Sequence, residues 1–291
     1  MPKTLIHIGY HKTASTWLQE ELFSSEVFDL VASKEEIRDQ IILPGPFAET
    51  KLECTSTDKV AVISSERLSG SPFSGGYDTK LIADRLYQQN PEAKILIIVR
   101  DQVEMIHSCY LQHIRVGGSF SLEDFLNPPQ RFRGVVPSFS FEYFRYIELI
   151  DYYTELWGKD NVLVLDYSLF QQEPQKFCKE ICDLVEVSVP SNLNYSRVSN
   201  PKLGYFGTKF AQQLNKFCSR SAFNPHAWDL DNWRKVYRML LAKWDALMPQ
   251  ALHQAWYKSN KKIISEAIAG RYDDSNAKLQ ALINKQGALV S

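Results

Sequence analysis

The chain has 291 residues, a formal net charge of −1, 44% hydrophobic residues and 12% aromatics. That composition can bury one large core, so residues 1–291 read as a single domain, and the near-neutral charge gives no reason to expect nucleic acid or an acidic membrane as partner. No apolar run approaches the ~18 residues needed to span a bilayer, and the start, MPKTLIHIGYHK, enters a core strand without a signal-peptide core, which points to the cytoplasm.

The first elements are a short apolar strand, Leu5 to Gly9, and a helix, Ser15 to Phe23. Between them lies a tight turn that carries Lys12, Thr13, Ala14, Ser15 and Thr16. Backbone N–H groups at a helix N-terminus point at an anion and the helix dipole favours negative charge there, so a lysine and three hydroxyls in this turn spell a phosphate-binding loop. A nucleotide triphosphatase loop would read G-x-x-x-x-G-K-[ST]; here Lys12 follows Gly9 with no second glycine between them. A second strand, Lys59 to Ser64, is closed by Ser65 and Glu66, and the helix Thr79 to Gln89 follows. Strand Ile95 to Val99 ends on Arg100, and the helix Val103 to Arg115 puts Ser108 two turns beyond it. A guanidinium and a hydroxyl so placed can converge on one phosphate. An amphipathic stretch from Phe141 to Trp157, a fourth strand from Asn161 to Asp166 and a helix from Pro174 to Val185 continue the alternation. From about Leu203 the chain reads mostly helical, with Trp228, Trp233, Trp244 and Trp256 as core residues. Alternating strands and helices predict a parallel sheet, and in such sheets ligands sit beyond the carboxyl ends of the strands, where Lys12, Glu66 and Arg100 fall.

Two segments carry a family resemblance. Lys12-Thr13-Ala14-Ser15-Thr16-Trp17 resembles the 5′-phosphosulfate loop of sulfotransferases that use 3′-phosphoadenosine 5′-phosphosulfate (PAPS), and RDQVEMIHSCYLQHIR, Arg100 to Arg115, resembles their 3′-phosphate motif. The run VLVLDYSLFQQEPQKFCKEICDLVEV is similar to a later strand-and-helix segment of the same family. The resemblance implies an α/β fold: a three-layer P-loop nucleotide fold with a central parallel sheet and a helix-rich C-terminal part. It implies PAPS as co-substrate and adenosine 3′,5′-bisphosphate (PAP) as product. Lys12 would contact the bridging oxygen, Thr13, Ala14, Ser15 and Thr16 the phosphosulfate, Trp17 the adenine face, and Arg100 and Ser108 the 3′-phosphate. Ala14 departs from the pattern, which has glycine there. The cytosolic branch's R-K-G-x-x-G-x-x-K segment is only loosely echoed by VSNPKLGYFGTK, Val198 to Lys209, which shifts weight toward bacterial or glycan-type acceptors.

Sulfonate transfer to a hydroxyl needs a base for the acceptor's proton and positive charge at the leaving oxygen. Lys12 is the candidate for the charge. Glu66 is the candidate base, in a turn, SSERL, that resembles the glutamate arrangement of carbohydrate-modifying branches; a structural ion pair with Arg67 is its competing reading. His11, inside the loop, is the second candidate base, whereas His7, His107 and His113 read as structural histidines. The sequence has no HExxH or C-x-x-C pair, no metal is expected, and the five cysteines read as buried thiols. Segments Leu68 to Asp78 and Val116 to Phe141 are expected to select the acceptor, a small-molecule or glycan hydroxyl, with Tyr77, Phe120, Arg131, Phe132 and Arg133 at the mouth. The rival readings are an ATP-using phosphotransferase of the same fold and a non-catalytic nucleotide-binding protein.

Overall fold

The structure, a computed structural model, describes residues 3–10, 12–48, 51–52, 58–128, 138–196, 204–218, 241, 243–245 and 247–290. Five strands form one sheet: β1 Thr4–His7, β2 Phe28–Leu30, β3 Val60–Ser64, β4 Lys94–Val99 and β5 Val162–Asp166. Their spatial order is β2-β3-β1-β4-β5, and every neighbouring pair is parallel. Val60 to Ile63 in β3 and Ile95 to Val99 in β4 are uninterrupted apolar runs because both faces of a parallel sheet are covered. Four of these strands are the ones expected from the sequence; β2, three residues long with a solvated Asp29 at its centre, carries too short a pattern to announce itself.

The helices in chain order are α1 Ser15–Trp17, α2 Lys34–Ile37, α3 Thr79–Gln89, α4 Gln102–Arg115, α5 Leu122–Leu126, α6 Tyr146–Trp157, α7 Tyr167–Gln172, α8 Pro174–Leu184, α9 Tyr205–Cys218, α10 Gln250–Ala267 and α11 Asp273–Val290. A π-helical turn, Leu18–Leu22, extends α1. The chain divides into two compact units, residues 1–100, 141–199 and 272–291, and residues 101–140 and 200–271.

The first unit holds the sheet. Alternate strand residues point to opposite faces, so Leu5, Val60, Val62, Leu96, Ile98, Leu163 and Leu165 share one side. There they pack with Trp17, Leu18, Leu22 and Phe23 from the first helical segment and with Phe177, Cys178, Ile181 and Cys182 from α8. On the other face α6 lies against β4 and β5, with α3 beside it. Helices on both faces make a three-layer α/β arrangement. Helix α11 returns to the free edge of the sheet, where Gln286 acts as a substitute strand. Its Nε2 donates to Val162 O at 2.8 Å and its Oε1 accepts from Val164 N at 3.0 Å.

The described part of the second unit is mainly helical. Asn215 on α9 donates to Ile114 O and Gly118 O at 2.7 and 2.8 Å. The Asp245 carboxylate caps the start of α9, accepting from Gly204 N at 2.8 Å and Gly207 N at 2.9 Å. With Asp245 turned inward, its neighbour Trp244 points outward and is 62% exposed, so the expectation that it belongs to the core is corrected. Trp256 is half-buried against His107 and Tyr205, while Trp228 and Trp233 lie outside the described residues. Cys109, Cys178 and Cys182 are buried free thiols; Cys54 and the Cys218 side chain lie outside the described residues. Among the described residues no helix is long and apolar enough to cross a membrane.

Candidate transfer site

The chain leaves β1 for one half of the sheet, building β2 and β3, and then passes to β1's other side to build β4 and β5. The carboxyl ends of β3, β1 and β4 therefore lie side by side at the point where strand order reverses, the position at which open α/β sheets form a crevice. Three of the sequence-predicted groups follow these three ends: Glu66 after β3, the Lys12 loop after β1 and Arg100 after β4.

The loop is shaped by two left-handed residues, Lys12 with φ 68° and Ala14 with φ 63°. Between them Thr13 is fully buried, and its Oγ1 donates to Tyr10 O at 2.5 Å. Tyr10 is anchored in turn against Tyr143 and Tyr146, with ring centroids 5.2 and 4.6 Å away. Lys12 stays exposed and Thr16 half-buried. The glycine expected at position 14 answers to the left-handed backbone, in which an alanine Cβ is crowded. Gly9 admits no side chain: a Cβ there would stand 2.5 Å from His7 Nε2 and 3.0 Å from Thr13 Oγ1. The first intrahelical bond of α1 runs from Leu18 N to Ala14 O at 2.9 Å, so the N–H groups of Ser15, Thr16 and Trp17 have no acceptor within the helix. Ser15 Oγ is buried with no hydrogen-bond partner among the described residues.

Arg100 Nη1 donates to Lys12 O at 3.3 Å, and its guanidinium lies over the Tyr167 ring, 5.2 Å from the centroid. Arg100 and the loop are thus joined directly. Glu66 is half-buried at the start of a short turn, Glu66–Ser69, in which Ser65 Oγ accepts from Arg67 N at 3.2 Å. Arg67 pairs with Asp78 at 3.2 Å. Ser69 Oγ donates to Glu66 O at 3.0 Å and lies 3.0 Å from Tyr143 OH, so one tyrosine braces the Glu66 turn while its ring supports Tyr10.

Trp17 is only 2% exposed, its face lies against Tyr195 and its Nε1 donates to Asn194 O at 2.9 Å. Ser108 is buried on α4 in the second unit. His11, Arg131, Phe132 and Arg133 lie outside the described residues. Tyr77 is exposed, and Phe120 stacks on His113 at 5.2 Å.

Two contributors escaped the sequence reading. Tyr143 gave no signal because its contacts, Tyr10 and Ser69, are distant in sequence. His7, read as structural, lies opposite Ser64 only once the β1–β3 register is known. Chemically, the arrangement offers an anion a cation, hydroxyls and the N-terminal backbone donors of a helix in one loop, with a carboxylate at the end of the neighbouring strand.

A family model described as Sulfotransferase domain matches residues 2–263. No curated protein matches the chain. Among solved structures, a sulfotransferase from Alicyclobacillus acidocaldarius aligns with TM-score 0.51 at 18% identity, over 80% of this chain and 99% of its own. A sulfotransferase domain from the curacin biosynthetic pathway aligns at 12% identity and TM-score 0.40, over 92% of this chain and 98% of its own. A mouse sulfotransferase complexed with PAP aligns at 15% identity and TM-score 0.38, over 65% of this chain and 61% of its own. The first of these likenesses shows the fold.

Proposed function

Since the chain belongs to the sulfotransferase-domain family, we propose that it moves a sulfonate from PAPS to a hydroxyl of a small molecule or glycan, releasing PAP. The observation that carries this reading is the convergence of the Lys12 loop, Glu66 and Arg100 on the carboxyl ends of three adjacent strands. The loop's residues suit an anionic group: Ser15 Oγ is a buried hydroxyl with no partner among the described residues, and groups of that kind are kept where a ligand answers them.

PAPS, when bound, supplies the sulfonate. Lys12, with the hydroxyls of Thr13, Ser15 and Thr16 and the backbone of Ala14, would hold the phosphosulfate, and Lys12 Nζ would meet the charge that develops on the leaving oxygen. Arg100 and Ser108 would hold the 3′-phosphate. Trp17, beside the loop, would take the adenine face. The Glu66 carboxylate would take the proton of the acceptor hydroxyl, with His11 as the second candidate. The segment from Leu68 to Asp78, beside the Glu66 turn, would shape the acceptor's entry with Tyr77. We take residues 1–291 as one catalytic domain; the buried free thiols suit a reducing, cytoplasmic setting.

The test is transfer of radiolabelled sulfonate from PAPS to a panel of hydroxyl acceptors. Lys12→Ala should lower turnover by about 10²-fold or more and weaken PAPS binding. Arg100→Ala should act mainly on the KM for PAPS. Glu66→Gln should leave PAPS binding intact while lowering kcat by about 10²–10⁴-fold. Full activity in Glu66→Gln would move the base to His11, and magnesium-dependent ATP turnover without sulfonate transfer would replace the reading altogether.

A further inference from the structure

His7 ends β1 at the start of the anion loop, and its ring is completely buried. The register sets it opposite Ser64 at the end of β3, and Nδ1 lies 2.8 Å from Ser64 Oγ. Gln19, in the π-helical turn after α1, donates its Nε2 to Ser64 Oγ and to Ser64 O, each at 3.1 Å. Ser64 Oγ thus accepts from the Gln19 amide and has one hydrogen to give, with His7 Nδ1 in reach. A neutral ring that accepts at Nδ1 carries its own hydrogen on Nε2. Burial keeps the ring neutral, lowering its pKa to about 4 with the Glu66 charge in weaker opposition.

Nε2 has no hydrogen-bond partner among the described residues, and with the Ser64 hydrogen given to Nδ1 it is a donor. Its location is fixed by Gly9, whose absent Cβ would fall 2.5 Å from Nε2, beside Thr13 Oγ1. The donor therefore sits on the underside of the anion loop. Buried donors left unanswered are rare and costly, and one kept at this place asks for a reason.

We propose that His7 is a positioning residue of the transfer site: through Ser64 and Gln19 it fixes the spacing between the Glu66 turn and the anion loop, and its Nε2–H holds a fixed dipole beneath the bound anion. This rests on the anion-loop reading of the preceding subsection. The main-chain bond from Ser65 N to His7 O, 3.3 Å, runs in parallel with the side-chain link, so the loop and the base-bearing turn are tied twice. A preorganised dipole in a dry site acts on charge without having to reorient when charge appears, which is why its effect should fall on anionic ligands alone.

The experiment measures binding of PAP and of uncharged adenosine by calorimetry, with melting temperatures, for the full chain and for His7→Asn and His7→Gln. Asparagine keeps an amide near the Nδ1 position and removes the lower donor; glutamine can return an N–H to the Nε2 position. His7→Asn should bind PAP about tenfold more weakly with adenosine binding unchanged, and His7→Gln should recover to within about threefold of the unaltered chain. Equal PAP affinity in His7→Asn and the unaltered chain, or an equal loss for adenosine, would overturn the inference. If the variants do not fold, nitrogen-15 spectra of the unaltered chain decide it. The His7 ring should carry its hydrogen on Nε2, and that resonance should move when PAP is added; a hydrogen on Nδ1, or no movement on saturation, contradicts the proposal. An unaltered chain that binds no PAP sinks the PAPS reading itself, and inorganic pyrophosphate as the anion in the same spectra then decides the part played by His7.

Discussion

Ala14 is the residue at which side chain and backbone disagree most. Its φ of 63° lies in the left-handed region, which costs a residue with a Cβ roughly 1–2 kcal/mol relative to glycine. Its methyl also packs at the margin of the apolar cluster around Trp17, and glycine would add freedom to the unfolded chain, so the two effects partly offset the strain. The net expectation for Ala14→Gly is a gain of about 0.5–1 kcal/mol, read as a rise of about 1–3 °C in melting temperature, with PAP affinity unchanged or improved. A lower melting temperature would mean that the methyl's packing outweighs the strain. The same scale shows what a sequence can and cannot disclose. Lys12, Glu66 and Arg100 stood out because each lies in the loop or turn that follows a strand. The partnerships of His7 with Ser64 and of Tyr143 with Ser69 depend on register and packing between distant segments, and no local pattern encodes them.

At the level of elements, long apolar runs such as KILIIV and periodic stretches such as Thr79–Gln89 were legible with nearly their final bounds. Short or irregular ones were not: β2 has three residues, and the amphipathic stretch Phe141 to Trp157 divides into a 3₁₀ turn, Phe141–Phe144, and α6, which begins at Tyr146. The role of α11 was also hidden, because Gln286 looks like any polar helix residue until its amide is seen bonded to β5. An edge strand with open N–H and C=O groups invites pairing with another chain, and Gln286 closes two of those groups. Gln286→Leu should leave Val164 N and Val162 O unanswered, costing about 1–3 kcal/mol and raising the tendency to associate. Urea midpoints and light scattering would register both effects; an unchanged midpoint with no added scattering would show that water satisfies this edge equally well.

Across the whole molecule, the parallel sheet and the placing of Lys12, Glu66 and Arg100 beyond strand ends follow from the alternation in the sequence, whereas the order of the strands and the tight buried polar contacts do not. Two buried histidines predict acid sensitivity. His7 and His113 are both buried, and desolvation lowers the pKa of each from 6.5 to about 4. The unfolded chain takes up protons near its ordinary value while the folded chain refuses them until about 4, so stability is whole above about pH 6.5 and declines between there and about pH 4. Each ring should cost on the order of 2 kcal/mol by about pH 5, measurable as a lower urea midpoint than at about pH 7.5; equal midpoints would show that the rings are hydrated or paired when charged. If the Lys12 loop and Arg100 together recognise a nucleotide carrying phosphates at both the 3′ and 5′ positions, calorimetric titration of the full chain with PAP, AMP and ATP in the absence of magnesium should show clear preference for PAP over both. Preference for ATP, or no binding of PAP, would refute that recognition.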